Sequence, residues 1–301
     1  MAKRSPLFYV GDKFKLVDQI VPLFPKEIEN FVEPFAGGAS TALNVDASKF
    51  HLNDQNDSVI GLHRWLAGYR GSGLESLLAD LQSRISGIGL KSSYFGDVVP
   101  SDLKSAFPKT YLAEINRVAY STLRAEFNAN EKSEVLDLYL LIIFGFNRMI
   151  RFNSKNEFNV PVGNVDMNQN VAEALADYLA WSKNSSVSLS AQDYQVCIDG
   201  LDITGNDFIY FDPPYLIAQA EYNKSWTAFD EQRLHVYLDE LSMRGVRWGL
   251  SNVMTYNGLR NELLDTWSKR YNVHEIDARY ISYRNNSNKQ TGEVLITNYD
   301  N

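Results

Sequence analysis

Short apolar runs alternate along this chain with segments of helical period, and four of the runs end at or beside an acidic residue. The runs cover residues 30–35, 49–53, 186–190, 207–211, 246–250, 271–276 and 293–299, with helical patterns at 40–45, 58–69, 168–182, 230–243 and 256–268. That order predicts an α/β fold: a mostly parallel, seven-stranded Rossmann-like sheet with helices on both faces.

The alternation breaks once. From about residue 68 to 163 the pattern is helical (74–86, 109–128 and 131–144), with a Gly/Ser/Pro-rich passage at 87–108. This predicts a mainly helical insertion between the second and third strands. The expected division is a sheet domain of residues 1–60 and 166–301 and an insertion domain of residues 61–165.

Composition narrows the function classes. A single cysteine, Cys197, excludes an intramolecular disulfide framework and fits a reducing cytoplasm. Four scattered histidines give no ligand spacing for zinc, so no metal is expected. The longest strongly apolar run, 138–146, is far below the roughly 20 residues that cross a bilayer, and the basic start lacks the apolar stretch of a signal peptide. No membrane partner is expected. The net charge of −8 opposes nucleic-acid binding as a global sum. Two segments nevertheless carry only positive charge: 147–156, with Arg148, Arg151 and Lys155, and 279–292, with Arg279, Arg284 and Lys289. Local patches, not totals, decide binding.

The acids are informative by position. Glu33, Asp54, Asp193 and Asp212 fall at or just past the ends of the first four runs. Open α/β sheets bind ligands beyond the carboxyl ends of their strands. Clustered acids there need cationic or hydrogen-bond-donating partners. Glu33-Pro34-Phe35-Ala36-Gly37-Gly38-Ala39-Ser40 sets paired glycines after a strand, where a tight turn brings backbone close to a ligand. Asp54 follows Glu33 by 21 positions, near the offset at which an acid takes ribose hydroxyls. The G-x-G-x-x-G of a dinucleotide site is absent, and Glu33 would repel a pyrophosphate, so a nicotinamide oxidoreductase is disfavoured. An adenosyl ligand without phosphates fits better.

The second acidic feature is Asp212-Pro213-Pro214-Tyr215, after the apolar run 207–211. A diproline imposes a rigid extended turn without backbone donors. The carbonyls and the Asp212 carboxylate can accept the hydrogens of an aromatic amine while Tyr215 offers a stacking face.

With these residues in view, the chain resembles the Dam-type adenine-N6 DNA methyltransferases over nearly its whole length. Asp-Pro-Pro-Tyr downstream of Glu-Pro-Phe-x-Gly-Gly carries the likeness. Phe8-Tyr9-Val10-Gly11-Asp12-Lys13 looks like the family's N-terminal segment, with Tyr9 and Lys13 in the aromatic and lysine places. Asn147 to Pro161 resembles its DNA-reading hairpin, and 293–299 its closing strand.

The resemblance implies S-adenosyl-L-methionine as cofactor, with S-adenosyl-L-homocysteine as product. Tyr9, Lys13, Glu33, Phe35, Gly37, Ser40, Asp54, Asp193, Tyr194 and Asp212 would hold the cofactor. Asp212, Pro213, Pro214 and Tyr215 would carry the chemistry on a flipped adenine in double-stranded DNA. Asn147, Arg148, Arg151, Asn153, Lys155, Arg279, Arg284 and Lys289 would contact DNA, at a site containing GAT, such as GATC. Departures are Asp12, where the family has a small residue, and Arg148, where it usually has glycine.

Several alternatives stay open from the residues alone. The same chemistry could act on an RNA amino group, or the chain could be a non-catalytic DNA-binding relative. Stand-alone, phage and restriction-modification enzymes, the last with a cognate endonuclease on the same site, are not distinguished.

Overall fold

A computed structural model of the chain describes residues 2–130, 134–218, 226–278 and 291–300. The chain forms two compact units: residues 3–12 with 58–184, and residues 13–57 with 185–301.

The second unit contains the sheet. Its strands are β1 (Asn30–Glu33), β2 (Lys49–Asn53), β3 (Ser186–Ser190), β4 (Phe208–Phe211), β5 (Arg247–Tyr256), β6 (Leu259–Arg260), β7 (Asn272–Ile276) and β8 (Thr291–Thr297). They run in the order β3-β2-β1-β4-β5-β8-β7, with the two-residue β6 folded back on β5. The first five strands of that order pair in parallel, whereas β8 is antiparallel to both β5 and β7. The α/β architecture with a mostly parallel sheet is therefore as the alternation implies. The chain reverses direction across the sheet between β1 and β4, the position where such sheets bind ligands.

Period-two alternation explains the two cores of this unit. On β1 and β4, Phe31, Phe208 and Tyr210 point to one face and meet Phe24, whose ring centroid lies 4.7 Å from that of Phe208. Val32, Ile209 and Phe211 point to the other and join Leu234, Leu238 and Leu241 of the helix Ala228–Met243. All four residues of β4 are buried, as expected of a central parallel strand covered on both sides. Each such side chain contributes about 1.5–3 kcal/mol by leaving water. The helix Ala228–Met243 starts at a capping box formed by Thr227 and Asp230.

Two expectations shift. The helix expected at 40–45 is only a 3-10 turn, Ala42–Asn44, because Gly37 and Ala39 adopt left-handed backbone immediately before it. The stretch 256–268 begins as strand: Asn257 and Gly258, both at positive φ, turn β5 into β6, and the helix starts only at Glu262.

The first unit is helical, with helices Asp57–Gly68, Gly73–Ile88, Ser101–Ala106, Tyr111–Ala129, Val135–Phe144 and Gln169–Asn184. Val135–Phe144 is buried from Asp137 onward, so it is the central helix of this unit. Its one acid, Asp137, is held bidentately by Arg84 at 2.7 and 2.8 Å. The expected hairpin appears as two isolated antiparallel bridges, Gly145↔Val162 and Phe152↔Phe158, not a continuous ladder. Asn147, Arg148 and Asn156 have positive φ, which takes them out of strand geometry. Glycine is required where the hairpin closes, since a Cβ on Gly163 would meet the Gly145 carbonyl oxygen at 2.5 Å. Among the described residues no helix is long and apolar enough to cross a membrane.

Candidate active site

The turn after β4 places Asp212 beside the only described cation buried with it. Lys13 Nζ lies 2.8 Å from Asp212 Oδ1, and the Tyr215 hydroxyl donates to the same oxygen at 2.9 Å. Among the described residues Asp212 Oδ2 accepts no hydrogen bond, and the side chain is 17% exposed. One carboxylate oxygen is thus saturated and the other faces outward. Lys13 also covers one face of the Tyr215 ring, 4.9 Å from its centroid.

Glu293 completes this arrangement. It heads the buried part of β8, approaches Lys13 Nζ at 3.7 Å, and accepts from the Tyr215 hydroxyl at 3.3 Å. Burial opposes the charge on Lys13, but the Asp212 and Glu293 carboxylates outweigh it and hold the ammonium well above the ordinary lysine range. Sequence reasoning did not single out Glu293. The available signal was an acid opening an otherwise apolar run, Val294-Leu295-Ile296.

At the end of β1, Glu33 is buried, and among the described residues its Oε2 has no hydrogen-bond partner. Burial, and then the Asp212 charge, push its carboxyl well above the usual range against hydrogen bonds from Ala42 and Thr41. Its unfolded counterpart titrates in the ordinary range, so the stability it contributes is present at low pH and lost as pH rises through the folded value. In the unliganded protein Glu33→Gln should therefore match the parent near pH 4 and be about 1–3 kcal/mol more stable at pH 8. Urea unfolding at the two pH values tests this; an equal difference at both would contradict it.

The glycine turn is tied down by the next strand. Asp54 accepts from the Gly37 N–H and the Asn56 N–H, both at 2.9 Å, and burial raises its carboxyl. Asn53, which sequence reasoning passed over, ties the end of β2 to the loops after β1 and β3. Its side chain donates to the carbonyls of Pro34 and Gln192 and accepts from Gln192 and Ser190. Asp193 caps the helix Tyr194–Asp199 and is gripped by Arg233 at 2.7 and 3.0 Å. Burial alone would raise Asp193; Arg233 and the backbone N–H groups bring it below the usual range. Arg233 also lies over the Tyr194 ring, which packs against Phe35 at 5.2 Å and Tyr237 at 5.8 Å.

A cationic, hydroxyl-bearing nucleoside cofactor fits these residues. Buried polar atoms without partners are costly and uncommon. Among the described residues they include Glu33 Oε2, Ser40 Oγ and the Tyr194 hydroxyl, on residues at the end of β1 or in the segments after β1 and β3. Glu33 would meet a positive charge, and Asp54 would meet hydroxyls. No group of three or more His, Cys, Asp or Glu side chains among the described residues is placed to hold a metal ion.

Tyr9 belongs to the helical unit and Lys13 to the sheet unit. In the helical unit, Asn159 holds Arg151 through its side-chain oxygen at 2.8 Å and its carbonyl at 3.1 Å. Asn153 closes the hairpin tip, accepting from the Lys155 and Glu157 N–H groups and donating to the Glu157 side chain. Arg148 turns onto Phe8, 3.8 Å from the ring centroid, and burial, with Arg4 adding, lowers its guanidinium to about 10. Asn147 and Lys155 are exposed. Arg279, Arg284 and Lys289 lie outside the described residues.

Comparison with known proteins decides the family. The family model described as D12 class N6 adenine-specific DNA methyltransferase matches residues 9–281. The chain belongs to the D12 class. Among its relatives, the Type II methyltransferase M.FokI of Planomicrobium okeanokoites is 34% identical across 99% of this chain and 43% of its own length. The modification methylase StsI of Streptococcus sanguinis is 33% identical over the same shares, 99% and 43%. The DNA adenine methylase of Escherichia coli is 27% identical over 97% of this chain and 94% of its own. This D12 chain thus spans less than half the length of the first two relatives and almost the full length of the third.

Proposed function

We propose that the chain transfers a methyl group from S-adenosylmethionine to N6 of an adenine flipped out of duplex DNA. The observation that carries this reading is the division of labour at Asp212, with Oδ1 held by Lys13 and Tyr215 and Oδ2 available to an incoming amine. When bound, the cofactor supplies an electrophilic methyl on a sulfonium. The adenine amino nitrogen is a poor nucleophile because its lone pair is delocalised into the ring. Asp212 Oδ2 and the Pro213 carbonyl would accept its two hydrogens and favour the tetrahedral nitrogen, a task of alignment and electrostatics. Because Lys13 covers one face of Tyr215, the base would stack on the opposite face. Extrusion of that base costs about a few kcal/mol.

On this reading the helical unit, residues 61–165 in the sequence-based division, reads the DNA, and the sheet domain binds cofactor. Arg151, steadied by Asn159, would read a guanine of a GAT-containing site, Asn147 would position the hairpin or touch DNA beside Asn153 and Lys155, and the 279–292 segment would contact phosphates, whereas Arg148 is engaged with Phe8. Arg151→Ala should lose about 1–3 kcal/mol of discrimination at one guanine, measured by competition between cognate and substituted duplexes. Equal weakening on every sequence would make Arg151 a phosphate contact instead. The modification-methylase names of the relatives support a restriction endonuclease acting on the same site as partner. Incubation with methyl-labelled S-adenosylmethionine should move the label onto duplex DNA; label entering only RNA would overturn the substrate assignment.

A further inference from the structure

Two donors and two acceptors form a closed ring in the sheet unit. Lys13 Nζ and the Tyr215 hydroxyl each reach both Asp212 Oδ1, at 2.8 and 2.9 Å, and Glu293 Oε1, at 3.7 and 3.3 Å. The Glu293 side chain is 1% exposed and that of Lys13 5%. Backbone pairing fixes the glutamate, since β8 lies between β5 and β7 with Glu293 opposite Val253 and Ile276. A register shift between Val253 and Thr255 sits beside it, the kind of local bend that aims a side chain.

We propose that Glu293 is a positioning residue that sets the acceptor strength of Asp212 by sharing Lys13 and Tyr215 with it. The inference rests on the reading of Asp212 as acceptor for the target amine. An ammonium held by one carboxylate withdraws that carboxylate's capacity to accept further hydrogen bonds. A second carboxylate on the same ammonium returns part of it and keeps Lys13 and Tyr215 in place. Among the described residues, titratable groups that also face this ring include Glu33 from β1, which senses the Asp212 charge, and Tyr210 from β4, whose hydroxyl is bonded to Ser251 at 2.7 Å.

Glu293→Gln keeps the shape and an oxygen for Tyr215 but removes the charge. In the unliganded variant, carbon NMR of labelled aspartate, with the Asp212 signal assigned by its loss in Asp212→Asn, should show the Asp212 carboxylate signal displaced from its parent position at neutral pH. Single-turnover methyl transfer should fall about tenfold, as expected when a positioned acceptor is weakened. Cofactor affinity should change less than the rate, and Glu293→Asp, which keeps the charge, should recover part of the loss. An unmoved Asp212 carboxylate signal in Glu293→Gln would overturn the proposal, as would Glu293→Asp behaving no better than Glu293→Gln. If the parent methylates no adenine, the reading of the site fails, whereas the carboxylate signal still reports the coupling between Glu293 and Asp212.

Discussion

Asp212→Asn is expected to reduce methyl transfer by about 10²–10³-fold, the loss that follows removal of one preorganised electrostatic partner of a transition state. The substitution keeps the volume of the side chain but replaces a charged acceptor with an amide. Oδ1 would still lie within reach of Lys13 and Tyr215, so the turn should hold its shape. The amide NH₂ can occupy the outward position and present hydrogens to the amine where acceptors are needed. Duplex binding, measured by fluorescence anisotropy, should change little. A variant that loses DNA binding in proportion to activity would mean that Asp212 acts through the fold and not on the amine.

Lys13→Met should destabilise the sheet unit by about 3–5 kcal/mol, the usual cost of removing one partner of a buried ion pair. The methionine fills the space, so the loss is electrostatic. Asp212 and Glu293 would face each other without the ammonium between them. Two close carboxylates without a shared cation repel each other, and that repulsion is greatest where both are ionised. The deficit should therefore be smallest near pH 4 and grow as pH rises toward 8. In the parent, the Lys13 contribution is lost only as pH rises through a value above the ordinary lysine range, so the trend between those limits is the one set by Glu33. Chemical denaturation across that range measures both. A deficit independent of pH would assign the loss to packing.

Much of this was legible from residue order because parallel strands announce themselves. The runs 49–53 and 186–190 coincide with β2 and β3, and Phe208–Phe211 is apolar throughout because both of its faces are covered. Asp212 and Tyr215 were legible through their motif, since a diproline after a buried strand has few other uses. What sequence order hides is what long-range pairing creates. Glu293 matters only because β8 returns antiparallel beside β5 and carries it to Lys13, from the opposite end of the chain. Arg233 likewise reaches Asp193 only through the seating of its helix. Local misreadings have local causes. At residues 256–268 a helical period masked Asn257-Gly258, a turn signal that the backbone obeys. In the hairpin, Arg148, expected to contact DNA, has left-handed backbone and lies over Phe8.

The central claim, that the site at Asp212 methylates adenine in DNA, is tested most directly by nucleoside analysis of duplex DNA after incubation with S-adenosylmethionine. The account predicts N6-methyladenine with the parent protein and a loss of about 10²–10³-fold with Asp212→Asn. N4-methylcytosine in place of methyladenine, or N6-methyladenine formed equally well by Asp212→Asn, would contradict it.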